Sequence, residues 1–302
     1  MRDIIKTVNL TKTYKGTPVV KDINLNIKKG DIYGFIGRNG AGKTTTMRML
    51  LNLIKPSGGH IELFGETVGD KNMPSNLRKM GAIIETPGFY MNLSARENLD
   101  IHRLMMNVSD KSCIDRELAT VGLSGEGDKK VRNYSLGMKQ RLGIARALLH
   151  KPELLLLDEP INGLDPQGVI EIRELLLKIA DEGTTILVSS HILSEVEKVV
   201  NKIGILSKGE LLEEITKDNF QAKCRQTTVY KVNDVEKAGA LIRQYLNIED
   251  LSISEDTISF NSKEQSGNGK LNKILVDHGI EVLESKIVRS SLEDYFMEIT
   301  GA

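Results

Sequence analysis

The stretch Gly37-Arg38-Asn39-Gly40-Ala41-Gly42-Lys43-Thr44-Thr45 decides how this chain reads. It follows the apolar run Ile32-Tyr33-Gly34-Phe35-Ile36 and leads into Thr46-Met47-Arg48-Met49-Leu50-Leu51. Strand, glycine loop and helix thus succeed one another with the full G-x-x-x-x-G-K-[ST] spacing. The three glycines let the backbone curl until consecutive N–H groups face one anion. A helix opening near Lys43 adds the positive end of its dipole. In such a loop Lys43 reaches the β- and γ-phosphates, and the Thr44 hydroxyl ligates Mg²⁺. The competing reading, a glycine turn that merely closes an α/β crossover, is disfavoured by this context. The loop predicts a nucleoside triphosphate site.

Outward from the loop, residues 3–8 and 18–27 read as strands, and Lys29-Gly30-Asp31 turns the chain into the strand before the loop. Lys12-Thr13-Tyr14 lies between those strands; Tyr14 could stack on a base or simply pack. A helix is predicted over 43–53, a turn at Pro56-Ser57-Gly58-Gly59, a strand over 60–64 and another at Ala82-Ile83-Ile84. From about 86 to 150 the pattern becomes helical, and Ser94-Ala95-Arg96-Glu97 resembles a capping box. Helices are expected from there to Met106, over Asp110–Val121 and over Gly137–Leu149, as a lobe inserted into an α/β core.

The core resumes at Leu154-Leu155-Leu156-Leu157-Asp158-Glu159-Pro160. All-apolar strands belong in parallel sheets covered on both faces, with ligands at the carboxyl ends of the strands. Asp158 there can hold the Mg²⁺ bound to Thr44, directly or through water. Glu159 points toward the γ-phosphate side, where it can polarise an attacking water. A helix cap or a surface pair is the plainer reading of two such acids. A helix over 167–181, a strand over 184–189, a helix over 192–200 and strands over 202–207 and 210–214 complete a doubly wound pattern.

From about 216 the elements shorten. A strand near 227–232, a helix near 234–245, strands near 250–254 and 257–261, polar Ser262–Gly269, a helix near 270–278 and a strand near 281–288 follow in turn. That β-α-β-β-α-β order is ferredoxin-like. A last amphipathic helix over 291–299 carries Leu292, Tyr295, Phe296 and Ile299 on one face. The expected domains are 1–215, with its helical lobe about 86–150, and a small α+β domain over 216–302.

Composition narrows the class of protein. The 302 residues hold 41 basic and 41 acidic side chains, so no whole-chain field draws nucleic acid or anionic lipid. Two cysteines, Cys113 and Cys224, match no metal or disulfide spacing and fit a reducing compartment. The start, Met1-Arg2-Asp3-Ile4-Ile5-Lys6, lacks the apolar core of a signal peptide, and Leu154–Leu157 is too short to cross a bilayer. The expectation is a soluble, cytoplasmic chain.

Further motifs give the constellation its specificity. Tyr134-Ser135-Leu136-Gly137-Met138-Lys139-Gln140-Arg141 precedes the acidic strand, Asn162-Gly163-Leu164-Asp165 follows it, and His191 comes after Val188-Ser189-Ser190. Over roughly residues 3–215 this order resembles the nucleotide-binding subunit of ATP-binding-cassette (ABC) transporters, a P-loop NTPase fold with a mixed sheet core and an inserted helical lobe. The resemblance implies that Ser135 and the Gly137 N–H, at a helix start, close on ATP held by the phosphate loop of a second such subunit. It implies Asp165 at the dimer seam, His191 on the γ-phosphate and Tyr14 against adenine. It also implies a separate integral-membrane permease as partner, ATP hydrolysis coupled to transport, Mg²⁺ as cofactor, and a place on the inner face of the cell membrane.

Two positions depart from the family pattern. The signature's usual L-S-G-G-Q reads Tyr134-Ser135-Leu136-Gly137-Met138, and the usual glutamine between core and lobe is Glu85, which can still ligate Mg²⁺. The chain from Glu85 to Asn98, with the extension ending Leu292-Glu293-Asp294-Tyr295-Phe296, resembles the bacitracin and lantibiotic self-protection branch. The apolar Pro87-Gly88-Phe89-Tyr90 is the candidate dock for the permease, with lobe packing as its alternative. Three rival readings stand beside this one. A GTPase lacks support because Asn201-Lys202-Ile203-Gly204 has no acid for N-K-x-D. Non-transport relatives would show a second cassette or a coiled-coil insertion. A regulatory module without hydrolysis is kept open by Glu85 and Leu136.

Overall fold

The computed structural model describes residues 2–69, 71–224, 226–246, 248, 250–261 and 268–301. The chain divides into two compact units, Met1–Asp218 and Asn219–Ala302.

In the first unit, β1 (Asp3–Tyr14) and β2 (Thr17–Ile23) form a hairpin. Lys15 and Gly16 close it with φ of 49° and 83°, the double positive φ that a two-residue type I′ turn needs. That turn carries β1 on to Tyr14, where the sequence pattern ends it at residue 8, and the irregularity falls in bulges around Lys12. The stretch 18–27 is likewise not one strand: it breaks after Ile23 and resumes as β3 (Asn26–Lys28).

β4 (Ile32–Ile36) is buried throughout and ends at the glycine loop, from which α1 (Lys43–Leu50) departs. β5 (Gly58–Leu63), β6 (Glu66–Thr67), α2 (Met73–Leu77) and β7 (Met80–Ile83) follow. Five residues with a proline in the first turn give α2 no readable period in the sequence. Strands β2, β1, β5 and β6, with β3 also on β1, make a separate antiparallel sheet rather than part of the doubly wound one.

The lobe comprises α3 (Ala95–Met105), α4 (Cys113–Thr120) and α5 (Leu136–Leu148), with two short 3₁₀ turns before α5. The capping box opens α3 as expected: the Glu97 N–H donates to Ser94 Oγ at 3.2 Å, and the Ser94 N–H to Glu97 Oε2 at 2.6 Å.

β8 (Leu154–Asp158), α6 (Pro166–Asp181), β9 (Thr185–Ser190), α7 (Leu193–Val196), β10 (Lys202–Ser207) and β11 (Glu210–Thr216) complete the unit. Instead of a helix over 192–200, α7 is a single turn. The chain must extend by Asn201, whose side chain accepts the Ile32 N–H at 3.1 Å and whose own N–H donates to Ile32 O at 3.0 Å. The six-stranded sheet runs β11-β10-β4-β9-β8-β7, parallel except at β10–β11. Every residue of β4, β8 and β9 is buried, as a sheet covered on both faces requires. Phe35, Met47, Leu154, Leu156 and Leu187 share one core cluster, each contributing roughly 1.5–3 kcal/mol by burial. Register does the positioning: Ile36 lies opposite Ser190, and Asp158 opposite Ser189, so the ends of β4, β8 and β9 stand at one level.

α8 (Lys217–Lys223) spans the boundary between the units. The second unit holds β12 (Gln226–Val232), α9 (Val235–Leu246), β13 (Ser252–Ser254), β14 (Thr257–Asn261), α10 (Asn268–Asp277), β15 (Val282–Arg289) and α11 (Leu292–Thr300). The order is β-α-β-β-α-β, and the antiparallel sheet runs β13-β14-β12-β15. Tyr230, Phe260, Ile242, Leu271 and Leu275 form its core, with the Tyr230 and Phe260 rings stacked at 6.3 Å. The polar segment expected over Ser262–Gly269 lies mostly outside the described residues. α11 buries Leu292 and Phe296 of the expected apolar face.

Candidate active site

The glycine loop has to pass close to β10 and then turn sharply into α1. A Cβ on Gly37 would sit 2.7 Å from Leu206 O, so the loop's first position admits no side chain. Gly42, the N-cap of α1, has φ of 106°, a conformation that side chains rarely adopt. Arg38, Asn39 and Gly40 are exposed, while Ala41, Gly42 and Lys43 are buried. The Lys43 ammonium lies inside the curl and donates to Gly37 O at 2.6 Å and Arg38 O at 3.4 Å. Thr45 follows in the first turn of α1.

Two side chains from the neighbouring strand ends meet this loop. Thr44 Oγ1 donates to Asp158 Oδ2 at 2.7 Å, and Ser189 Oγ donates to Asp158 Oδ1. Glu159 Oε1 stands 3.2 Å from Lys43 Nζ, and Oε2 stands 2.8 Å from His191 Nδ1. The His191 N–H also donates to Oε2 at 3.3 Å. Glu159 has φ of 50°, a left-handed conformation that costs on the order of 1–3 kcal/mol in a non-glycine residue. Its N–H is held by Ser189, through Oγ at 3.0 Å and the carbonyl at 3.2 Å. Lys43, Thr44, Asp158, Glu159 and His191 therefore converge at one mouth.

Ser189 was not among the residues singled out from the sequence. Serine at the end of a buried strand is unremarkable there, and only the β8–β9 register reveals what it holds. Ser189→Ala should lower stability by about 1–3 kcal/mol, since it leaves Asp158 Oδ1 short of a donor in a buried place. A urea midpoint that falls at constant m-value would show it; an unchanged midpoint would contradict it.

The remaining residues lie elsewhere on the unit. Ser135 caps α5 by accepting the Met138 N–H at 3.2 Å, and Asp165 caps α6 by accepting the Gly168 N–H at 3.0 Å. These two helix starts adjoin: a Cβ on Gly163 would lie 3.3 Å from Leu136 Cδ2, and one on Gly137 3.9 Å from Leu164 Cδ2. Among the described residues no hydrogen bond joins Ser135, Gly137 or Asp165 to the phosphate loop. Tyr14 is 46 % exposed at the end of β1, with Lys12 Nζ 5.1 Å from its ring centre. Glu85 is not brought to Thr44 and Asp158: its carboxylate takes the Arg48 guanidinium, one turn further along α1.

The residues suit a nucleotide and a hard cation. A buried ammonium, a helix start and a carboxylate oxygen, Glu159 Oε1, that is buried without a hydrogen bond form an anion cradle whose own acid stands in. Thr44 and Asp158 offer oxygen donors only, the set that Mg²⁺ takes together with phosphate. Among the described residues no cluster of three or more His, Cys, Asp or Glu could hold a metal.

Between core and lobe lies an open groove of about 740 Å³ lined by Met80, Phe89, Tyr90, His102, Met105, Arg146 and His150, among others. Arg146 spans it, donating to Gly88 O at 2.6 Å and standing 5.0 Å over the Phe89 ring. Burial, helped by Arg146 and His150, lowers His102 to about 4; burial lowers His150 too. Both rings are thus neutral at pH 7, while Arg146 brings a positive charge to the groove. Tyr90 and Met105 are 63 % and 75 % exposed. Among the described residues no helix is long and apolar enough to cross a membrane.

Known proteins resemble this chain in sequence and in fold. A family profile described as ABC transporter matches residues 20–162. The bacitracin transport ATP-binding protein BcrA of Bacillus licheniformis is 51 % identical over 302 residues, covering 100 % of this chain and 98 % of that protein. The lantibiotic transport ATP-binding protein SrtF of Streptococcus pyogenes is 44 % identical over 211 residues, 70 % of this chain and 90 % of that one. Among solved structures, CbiO1 from Clostridium perfringens, part of an ABC transporter complex, has a TM-score of 0.68 at 26 % identity, covering 82 % of this chain and 97 % of that one. A dimeric ATP-binding cassette in a post-hydrolysis state with ADP and Pi has a TM-score of 0.64 at 27 % identity, covering 71 % of this chain and 99 % of that one.

Proposed function

This chain belongs to the ABC transporter family as an ATP-binding subunit, and from that premise we propose that it hydrolyses ATP between two copies to drive a separate permease that clears an antimicrobial peptide of the bacitracin or lantibiotic kind. The observation that carries the reading is the convergence of Lys43, Thr44, Asp158, Glu159 and His191 at the mouth of the glycine loop.

Phosphoryl transfer to water asks mainly for positioning and charge stabilisation. The loop from Gly37 to Thr45 and the start of α1 cradle the phosphates, and Tyr14 offers its exposed ring to the adenine. Lys43 exchanges Glu159 for the β- and γ-phosphates. That exchange releases Oε1, leaving Glu159 free to accept a proton from the attacking water. His191, already on Oε2, holds the carboxylate in place and contacts the γ-phosphate. Mg²⁺ on Thr44 and Asp158 would neutralise charge on the phosphate oxygens. Glu85 would have to leave Arg48 before it could join that ion. The exposed Ser135–Gly137 and Asp165 ends seal the nucleotide of the second copy, and hydrolysis loosens the pair.

The opening and closing needs a membrane partner, so the chain sits peripherally on the inner face of the cell membrane. Its dock is the groove around Phe89 and Tyr90, whose half-buried phenyl ring, exposed Tyr90 ring and Arg146 suit a short cytoplasmic helix. Replacing Phe89 and Tyr90 by serine should abolish peptide transport in vesicles holding chain and permease, while the purified chain keeps its ATPase rate. Transport at the parent rate would remove this dock. The overall reading is tested by restoring bacitracin or lantibiotic tolerance to a sensitive strain with chain and permease together; tolerance independent of Lys43 would overturn it.

A further inference from the structure

β15 is the last strand of its sheet, paired with β12 on one side, and among the described residues no strand pairs with its other side. Leu283 to Arg289 are all exposed, with Leu283 at 56 %, Ile287 at 38 % and Val288 at 44 %. A long edge strand with apolar side chains invites a further strand unless something blocks it.

The sequence of this edge is complementary to itself in reverse. It reads Glu281-Val282-Leu283-Glu284-Ser285-Lys286-Ile287-Val288-Arg289. Antiparallel pairing of two copies about a two-fold axis at Ser285 sets Glu284 opposite Lys286 and Leu283 opposite Ile287. Val282 then faces Val288, and Glu281 faces Arg289. Each charged pair has opposite sign, and each apolar residue meets another. Opposite-charge and apolar cross-strand pairs stabilise such a register, whereas like charges face to face oppose it. Moving the axis to Glu284 or Lys286 brings two like charges together. Moving it half a residue sets Glu284 against Ile287 and Val282 against Arg289. Only the register at Ser285 satisfies every position.

The faces agree with that pairing. Ser285 and Ile287 lie opposite Tyr230 and Thr228 of β12, both wholly buried, so Ile287 would carry the apolar layer from one copy toward the next; the β12 ladder slips between Glu284 and Val282, where Leu283 is an extra, exposed residue. Glu284 and Lys286 lie opposite Lys231 and Val229 on the other face, already 2.9 Å apart as an ion pair within the strand. Across the axis they would form a row of alternating charge.

We propose that β15 joins β15 of a second copy, antiparallel and centred on Ser285, making one continuous sheet from two second units. Eight residues of edge bury less than a standard interface, so this contact alone is weak. It strengthens once two copies are already tethered by nucleotide, through the raised effective concentration. The proposal does not depend on the nucleotide reading and is tested without nucleotide.

The full chain is stripped of nucleotide and oxidised with copper phenanthroline, with the parent chain giving the background from Cys113 and Cys224. Ser285→Cys should form disulfide-linked dimers roughly ten-fold faster than Ser252→Cys on the opposite edge, since directly opposed Cβ atoms lie about 5 Å apart. Two further chains carry Ser285→Cys with either Glu284→Lys or Lys286→Glu. Each alone should crosslink slowly, because like charges now oppose; an equimolar mixture with distinguishable tags should crosslink quickly between the two kinds. Far-UV circular dichroism and a thermal unfolding midpoint matching the parent chain confirm that each variant is folded. Equal rates for Ser285→Cys and Ser252→Cys, or a mixture no faster than its components, would overturn the proposal.

Discussion

A Glu159→Gln chain given ATP and Mg²⁺ should hydrolyse at least about 100-fold more slowly than the parent, the lower end of what a positioned general base contributes. It should also accumulate as a nucleotide-bound dimer. The substitution keeps the side chain's size and its place between Lys43 at 3.2 Å and His191 at 2.8 Å. An amide no longer accepts the water's proton, so the chemical step suffers while the cradle survives. Removing a negative charge beside the triphosphate also relieves repulsion, so binding should hold or tighten. Phosphate release gives the rate, and sedimentation velocity gives the dimer. Turnover at the parent rate would take the water-polarising role from Glu159.

Lys43→Ala acts on binding instead. Truncating one member of a buried charged pair costs about 2–5 kcal/mol, hence at least a roughly 30-fold rise in Kd for ATP. The ammonium is 5 % exposed, and its removal leaves Glu159 Oε1 facing the γ-phosphate with no cation between them. The loss should therefore be larger for ATP than for ADP. Titration of a fluorescent nucleotide would measure both; an unchanged Kd for ATP would contradict the assigned position of Lys43.

The phosphate loop, the acidic strand end and the helical lobe were legible in the sequence because each is local. G-x-x-x-x-G-K-[ST] spacing, four leucines before Asp158, and Ser94 with Glu97 are signals that short windows contain. The order of elements after residue 216 was legible for the same reason. What the sequence hid depends on register between distant strands. Ser189 becomes a holder of Asp158 and of the Glu159 N–H only because β8 and β9 align at their ends. The Lys43–Glu159–His191 chain joins three segments, and Glu85 is drawn to Arg48 by a side chain on another element. Nor did the pattern over 3–8 show that a tight Lys15-Gly16 turn would carry β1 to Tyr14, placing that ring at an exposed strand end.

The central claim is that one copy's loop and the other copy's Ser135 build each site together. Mixing two inactive chains tests it most directly: Lys43→Ala, which keeps its Ser135 end, and Ser135→Ala, which keeps its loop. If sites are shared across a two-fold pair, random exchange makes about half of the dimers mixed, each with one whole site, and the mixture recovers up to roughly a quarter of parent ATPase activity. If each chain completes its own site, the mixture stays at the sum of its two inactive components, and the shared site is contradicted.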